Sequence, residues 1–153
     1  MSNVKISTRP RYALHLMLDV SRHCIDGRPV HLRDIALRNH LSKGYLEQLV
    51  VSLKNSGLLR STGGRSGGYR LAKPADKTTI LEIFEATIGP IQLVECVQDP
   101  ESCMRSAACP CRILWLLLSR RIQALLASYS LKDLAESSGV ERMMEEVRAI
   151  KVE

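Results

Sequence analysis

Cys96, Cys103, Cys109 and Cys111 place four thiols within the polar stretch "CVQDPESCMRSAACPC", just before the apolar run "ILWLLL". Thiolates are soft ligands and redox-active groups, so four of them in one loop point to disulfides, a structural zinc ion, an iron–sulfur group or metal-free redox chemistry. The chain holds five cysteines, and an odd count argues against a closed disulfide framework. Intervals of six, five and one residues separate the four. Structural zinc sites pair their cysteines as C-x₂₋₄-C, and no such pair occurs here. Cys109-Pro-Cys111 is one residue too short for a redox C-x-x-C. Thiolates spread along a loop can wrap a larger object, as in cysteine-held iron–sulfur sites. Spacing favours an iron–sulfur cluster and leaves zinc and metal-free thiols open. Cys24 falls in the first helix, apart from the loop, and reads as a buried structural thiol.

A second set of residues suits the reading of bases. Lys43, Tyr45, Glu47, Gln48 and Ser52 lie on the polar side of a helix whose apolar side is Leu46, Leu49, Val50 and Leu53. Lys donates to guanine O6 and N7, Gln bonds adenine N6 and N7, and Glu accepts from cytosine N4. Gly44 lets the backbone approach a phosphate closely.

The elements that must position these groups follow from periodicity and breakers. Ala13, Leu16, Met17 and Val20 mark a first helix, with Thr8 as its N-cap, Pro10 in its first turn and Gly27 as its stop. After the connection "GRPVH", Leu32, Ile35 and Ala36 mark a brief second helix, broken at Asn39 and His40. Ser42 caps the third, and Gly57 ends it. Two short helices joined by a tight turn form a helix-turn-helix. "LLRST" and "YRLAK" then read as strands around the hairpin tip "GGRSGG", which makes the unit a winged helix. Arg60, Arg65 and Arg70 arm that wing for a phosphate backbone or a minor groove. The tip lacks the Lys-Ser/Thr ending of a phosphate-binding loop, and a strand follows it.

Ile80, Ile83, Phe84 and Thr87 predict a helix packed on the winged unit and ended by Gly89-Pro90. From Ile113, Leu116, Leu117, Arg120 and Ala124 form one stripe, and Leu114, Leu118, Ile122, Leu125 and Leu126 are apolar as well. A helix apolar on more than one face needs a cover, most simply a second copy of the chain. Two recognition helices about 34 Å apart would then meet successive turns of the major groove. The segment from Leu131 to Ile150 reads as short amphipathic helices.

Net charge divides unevenly. Residues 1–76 hold thirteen Lys and Arg against five Asp and Glu, giving +8, whereas residues 77–153 hold nine against eleven, giving −2. A basic first half suits a nucleic-acid partner. "ILWLLL" falls far short of the ~20 residues that span a bilayer. The opening residues show no basic segment followed by an apolar one, so no signal peptide and a cytoplasmic location are expected. There thiols stay reduced, which favours metal binding over bridges.

"RYALHLMLDV", "LSKGYLEQLVVSLKNSGLL", "GGRSGGYRLAK" and C-x₆-C-x₅-C before "ILW" together resemble the Rrf-type winged-helix transcription regulators, the IscR- and NsrR-like iron–sulfur family. The likeness spans about residues 4–135. It implies a homodimer whose operator affinity follows the state of an iron–sulfur cluster, [2Fe-2S] or [4Fe-4S], held by Cys96, Cys103 and Cys109. It implies DNA readers at Ser42, Tyr45, Glu47 and Gln48. The chain departs from that pattern in three places. Arg112 stands where IscR-like members carry a ligand histidine, Arg11 where NsrR-like members carry a ligand aspartate, and Gly63 where the wing carries an arginine. Cys111 is then the nearest candidate for a fourth ligand, and Arg65 for the wing arginine.

The expected protein is mainly α. A winged helix-turn-helix DNA-binding domain at 1–76 precedes a packing helix at 77–95, a cysteine loop at 96–112, and a dimerisation helix with C-terminal helices at 113–153. Its expected partner is double-stranded promoter DNA, with no membrane. A regulator using zinc or thiol oxidation, and an iron–sulfur delivery protein that binds no DNA, are the alternatives. No Ser/His/Asp set, nucleotide loop or paired acids stand in register for an enzyme, and His15, His23, His31 and His40 are scattered.

Overall fold

A computed structural model of the chain describes residues 7–64 and 67–150. Helix α1 (Thr8–His23) buries Ala13, Leu16, Met17 and Val20, the stripe expected from the sequence. Its boundaries differ from expectation. Ser7 holds the N-cap position without a side-chain bond, and Thr8 is already helical. The helix stops at His23, where the Cys24 amide bonds the Val20 carbonyl at 3.0 Å. Gly27 ends only the following 3₁₀ turn, Ile25–Gly27, where Asp26 and Gly27 take positive φ. Cys24 therefore lies just past the helix, half-buried against the core.

Helices α2 (Leu32–Asn39) and α3 (Lys43–Asn55) meet at His40, whose φ of 52° makes the left-handed elbow of the turn. Leu32, Ile35 and Ala36 of α2 join Leu46, Leu49, Val50 and Leu53 of α3 over α1 in one aliphatic core. Asp19 reinforces that packing from inside. It is 7% exposed, and its carboxylate accepts from Arg38 at 2.9 and 2.6 Å and from Asn39 at 3.0 Å. A buried carboxylate persists only with such partners, so this fork fixes α2 on α1.

Strands β1 (Leu59–Thr62) and β2 (Gly68–Leu71) pair antiparallel, with Leu59 opposite Leu71 and Thr62 opposite Gly68. The segment "GRPVH", expected as a mere connection, supplies a third rung. Val30 and Tyr69 exchange two backbone bonds of 2.8 Å. Glycine at 68 is required by that contact, because a Cβ there would stand 2.6 Å from the Val30 carbonyl oxygen.

Helix α4 (Ile80–Ile88) opens on a capping box between Thr79 and Glu82 and packs on α1 and α3 through Ile80, Ile83 and Phe84. The short α5 (Glu95–Gln98) and two 3₁₀ turns (Pro100–Ser102, Ser106–Ala108) carry the cysteine segment. Helix α6 (Pro110–Ser128) follows, starting three residues before the apolar run, so Cys111 and Arg112 are helical. Backbone bonds from Ile80 to Tyr129 (2.9 Å) and from Leu131 to Thr78 (2.8 Å) return the chain to the start of α4. Leu131, at the head of α7 (Leu131–Ala135), is fully buried in the same core, and α8 (Ser137–Ala149) packs on α7. The protein is mainly α, with one two-stranded antiparallel sheet.

Candidate functional site

The outward face of α3 is held in place by two of its own expected readers. Ser42 Oγ accepts from the Tyr45 amide at 3.2 Å, closing the helix N-terminus. Tyr45 is half-buried, stacked edge-to-face on Tyr12 with centroids 5.8 Å apart, and its hydroxyl shares a 3.4 Å hydrogen bond with Thr8 Oγ1. Lys43 and Glu47 face solvent and pair with each other at 3.6 Å. Gln48, between them and Ser52 in the sequence, is exposed. Gly44 is open, with no atom within 4 Å of a notional Cβ, so a phosphate can approach its backbone.

Arg60 and Arg70 stand directly opposite one another across the wing, both exposed. Cross-strand partners share one face, so the wing presents two guanidinium groups to the same side. Arg65 lies outside the described residues. Two contacts escape a helix-by-helix reading of the sequence. Arg9 donates to Ser52 Oγ at 3.3 Å, which brings a cation of α1 to the edge of α3. Asp19 braces α1 to α2 through Arg38, and the sole hint of it in sequence is an acid on an otherwise apolar stripe.

The cysteine segment is organised around the start of α6. Cys109 is the N-cap residue of that helix and Pro110 its first residue, where a missing N–H costs nothing. Arg112 Nε donates to the Cys96 carbonyl oxygen at 2.7 Å and so ties α5 to the first turn of α6. Cys96 and Cys109 are half-buried, Cys103 and Cys111 are exposed, and all are free thiols. Their chemistry suits a soft metal or an iron–sulfur group. Their placement does not: among the described residues no three His, Cys, Asp or Glu side chains are gathered to hold a metal ion.

Beyond this loop, among the described residues of α6, Ser119 alone is buried. Ile113 is 69% exposed and Leu117 52%, while Leu114, Leu118 and Leu125 are also open. Ser119 Oγ accepts from the Leu93 amide at 3.3 Å, so the inward side of α6 is fixed to the loop before α5 by a polar contact. Among the described residues, no helix is long and apolar enough to cross a membrane.

Comparison with known proteins decides what this arrangement is. A family profile described as "Rrf2: Iron-dependent Transcriptional regulator" matches residues 6–137. The chain belongs to the Rrf2 family. Rrf2-family proteins are DNA-binding transcription regulators rather than enzymes. The chain is 39% identical to the transcriptional regulator CymR of Bacillus subtilis over 132 residues, covering 86% of this chain and 90% of CymR. It is 36% identical to the transcriptional regulator IscR of Xenorhabdus nematophila over 137 residues, covering 90% of this chain and 82% of IscR. Its fold is similar to the solved structure of CymR, the global cysteine regulator of B. subtilis, with TM-score 0.70 and 37% identity. That likeness covers 87% of this chain and 97% of CymR. The winged helix and the absence of enzyme chemistry expected from the sequence are thus both met in an Rrf2 chain.

Proposed function

We propose that this Rrf2-family chain binds double-stranded promoter DNA as a homodimer and that its cysteine loop sets operator affinity. The DNA-binding half of this reading rests on one juxtaposition. An exposed Gln48 on α3 and a facing Arg60–Arg70 pair on the wing stand on a single rigid core. Gln48 suits an adenine edge in the major groove, and the arginines suit the flanking phosphates or minor groove. The dimer follows from α6, whose leucines are left open along most of the helix. A partner α6 is the economical cover, each buried leucine contributing about 1.5–3 kcal/mol.

The loop reading takes Cys96, Cys103 and Cys109 as ligands of a [2Fe-2S] or [4Fe-4S] cluster, with Cys111 as the nearest further thiol. Such a group supplies a redox- and nitric-oxide-sensitive centre when bound. The thiols must be gathered before they can hold it. Arg112 keeps Cys96 on the first turn of α6, so rearrangement of the loop is passed to the dimer helix and from there to the spacing of the two α3 helices. Metal-free thiol sensing is the second reading, favoured by the dispersed thiols and the exposed Cys103 and Cys111.

Anaerobic purification with iron and sulfide assays separates the two. Coloured protein whose colour is lost in Cys103→Ala and kept in Cys24→Ala supports the cluster. Colourless chain that resists reconstitution removes it and leaves the thiol reading. For DNA, Gln48→Ala should narrow the gap between operator and unrelated duplex. Arg60→Ala should weaken both and lower the salt slope by about one. Equal loss from both variants on every sequence contradicts these roles.

A further inference from the structure

We propose that Arg9 of α1 is a phosphate-contacting residue, extending the DNA interface beyond α3 and the wing onto the first helix. The inference rests on the DNA-binding reading of α3 and adds a contact on a different element. Arg9 Nη2 bonds Ser52 Oγ at 3.3 Å, and both groups lie at the surface. Ser52 follows Gln48 by four residues, so it occupies the same side of α3 one turn further on. The inward residues Leu46, Leu49, Val50 and Leu53 place Gly44 and Gln48 near the centre of the outward face. Tyr45 and Ser52 fall at one edge of it, and that edge is the one α1 lies along. There the Tyr45 ring meets Tyr12 and its hydroxyl meets Thr8.

The dimensions of the groove turn this edge into a phosphate contact. An α-helix with its side chains is about 10–12 Å across, and the major groove is about 12 Å wide. A helix that fills the groove with its centre on the bases has its edges against the phosphate walls. A cation at the edge of α3 therefore meets a phosphate when Gln48 meets a base. Arg9 is free to do so: among the described residues no carboxylate pairs with it, and its one side-chain bond is to a neutral hydroxyl. Arg11 makes the same flank more basic, its guanidinium lying 5.5 Å from the Tyr12 ring centroid. The opposite edge carries Lys43 and Lys54, so both walls of the groove would meet positive charge.

The test is the salt dependence of binding to a duplex of about 30 base pairs, long enough for two half-sites one helical turn apart. That duplex is selected by the wild-type chain from a random pool, and a scrambled duplex of equal length serves as its reference. Each phosphate contact contributes about −0.9 to the slope of log K against log salt. Arg9→Gln should lower the slope by about one per subunit. Each lost contact weakens binding about eightfold at 0.1 M salt, so a dimer that loses two weakens about sixtyfold there and little near 1 M. The ratio between selected and scrambled duplex should not move. Arg9→Lys, which keeps the charge, should keep the slope, and Arg142→Gln on α8 should match the wild type. A wild-type slope in Arg9→Gln overturns the proposal. So does a loss in Arg9→Lys as large as in Arg9→Gln, which would mark Arg9 as a packing residue of α1. A wild-type chain that binds no duplex removes the DNA-binding reading itself, an outcome distinct from either.

Discussion

Arg112 Nε stands 2.7 Å from the carbonyl oxygen of Cys96, a residue sixteen positions earlier in the chain. A guanidinium in the first turn of a helix sits at the wrong end of its dipole. Its presence there is explained by what it holds: the backbone of α5. Arg112→Gln should speed amide exchange in residues 95–98 and at the start of α6, and leave α1 to α4 unchanged. The lost bond should cost about 1 kcal/mol of stability. Hydrogen-exchange mass spectrometry gives the answer, and protection equal to the wild type across 95–112 would show that the bond does not organise the loop.

Asp19 sets a larger cost. Removing its carboxylate leaves Arg38 and Asn39 without their acceptor, although Asn39 keeps a 2.9 Å bond to the Ile35 carbonyl and Arg38 is partly exposed. Asp19→Ala should therefore destabilise by about 2–3 kcal/mol, toward the lower end for a broken buried pair. Urea unfolding of Asp19→Ala, Arg38→Ala and the double variant should show strong non-additivity. Additive losses would mean that the two side chains do not act together.

Acid stability should depend on Asp133. Its carboxylate accepts from the Ser130 amide at 2.8 Å and the Ser130 hydroxyl at 2.7 Å, and Arg142 donates to it at 2.7 Å. The two Ser130 bonds hold its pKa below the ordinary carboxylate value, against a smaller upward push from burial, and Arg142 adds a lesser lowering. A carboxyl depressed on folding stabilises the protein above its unfolded value of about 4. That contribution is lost as pH falls through the lower folded value. Glu82 behaves alike: burial pushes its pKa up, but Lys73 and the Thr79 cap together outweigh it. Asp133→Asn should thus flatten part of the acid limb in a stability-against-pH curve and leave the Glu82 part. An unchanged curve between pH 5 and 2 would remove Asp133 from the explanation.

The open face of α6 bears on assembly. Leu117→Glu puts a charge in the middle of that face without touching the buried Ser119 contact. Sedimentation velocity should show a dimer for the wild-type chain and a folded monomer for the variant, with weakened DNA binding as a consequence. A variant that stays dimeric would place the interface elsewhere.

Local chemistry made most of the first half of the chain legible. Ser42, Gly57 and the first three glycines of "GGRSGG" act within a few residues of themselves, so their roles as cap, stop and hairpin tip can be read directly. The apolar stripes of α1 and α3 were visible for the same reason. Contacts between distant segments left little trace. Val30 reads as a linker residue until Tyr69 is beside it, and Asp19 reads as a stray acid until Arg38 reaches it. In the cysteine segment, spacing revealed four thiols but not that Pro110 starts α6, which puts Cys111 and Arg112 on a helix. The expected readers Ser42 and Tyr45 keep their place on α3, yet their polar atoms are engaged in holding it.

The wing carries one further consequence. With Arg60 facing Arg70, the free hairpin works against its own electrostatic repulsion, which a phosphate or mobile ions would relieve. Added salt should then act in opposite senses on the two states of one hairpin. It quiets the unbound wing by screening the arginines from each other, while it loosens the bound wing from DNA. A wing that holds DNA through these two arginines would be steadiest in the brine that loosens its grip.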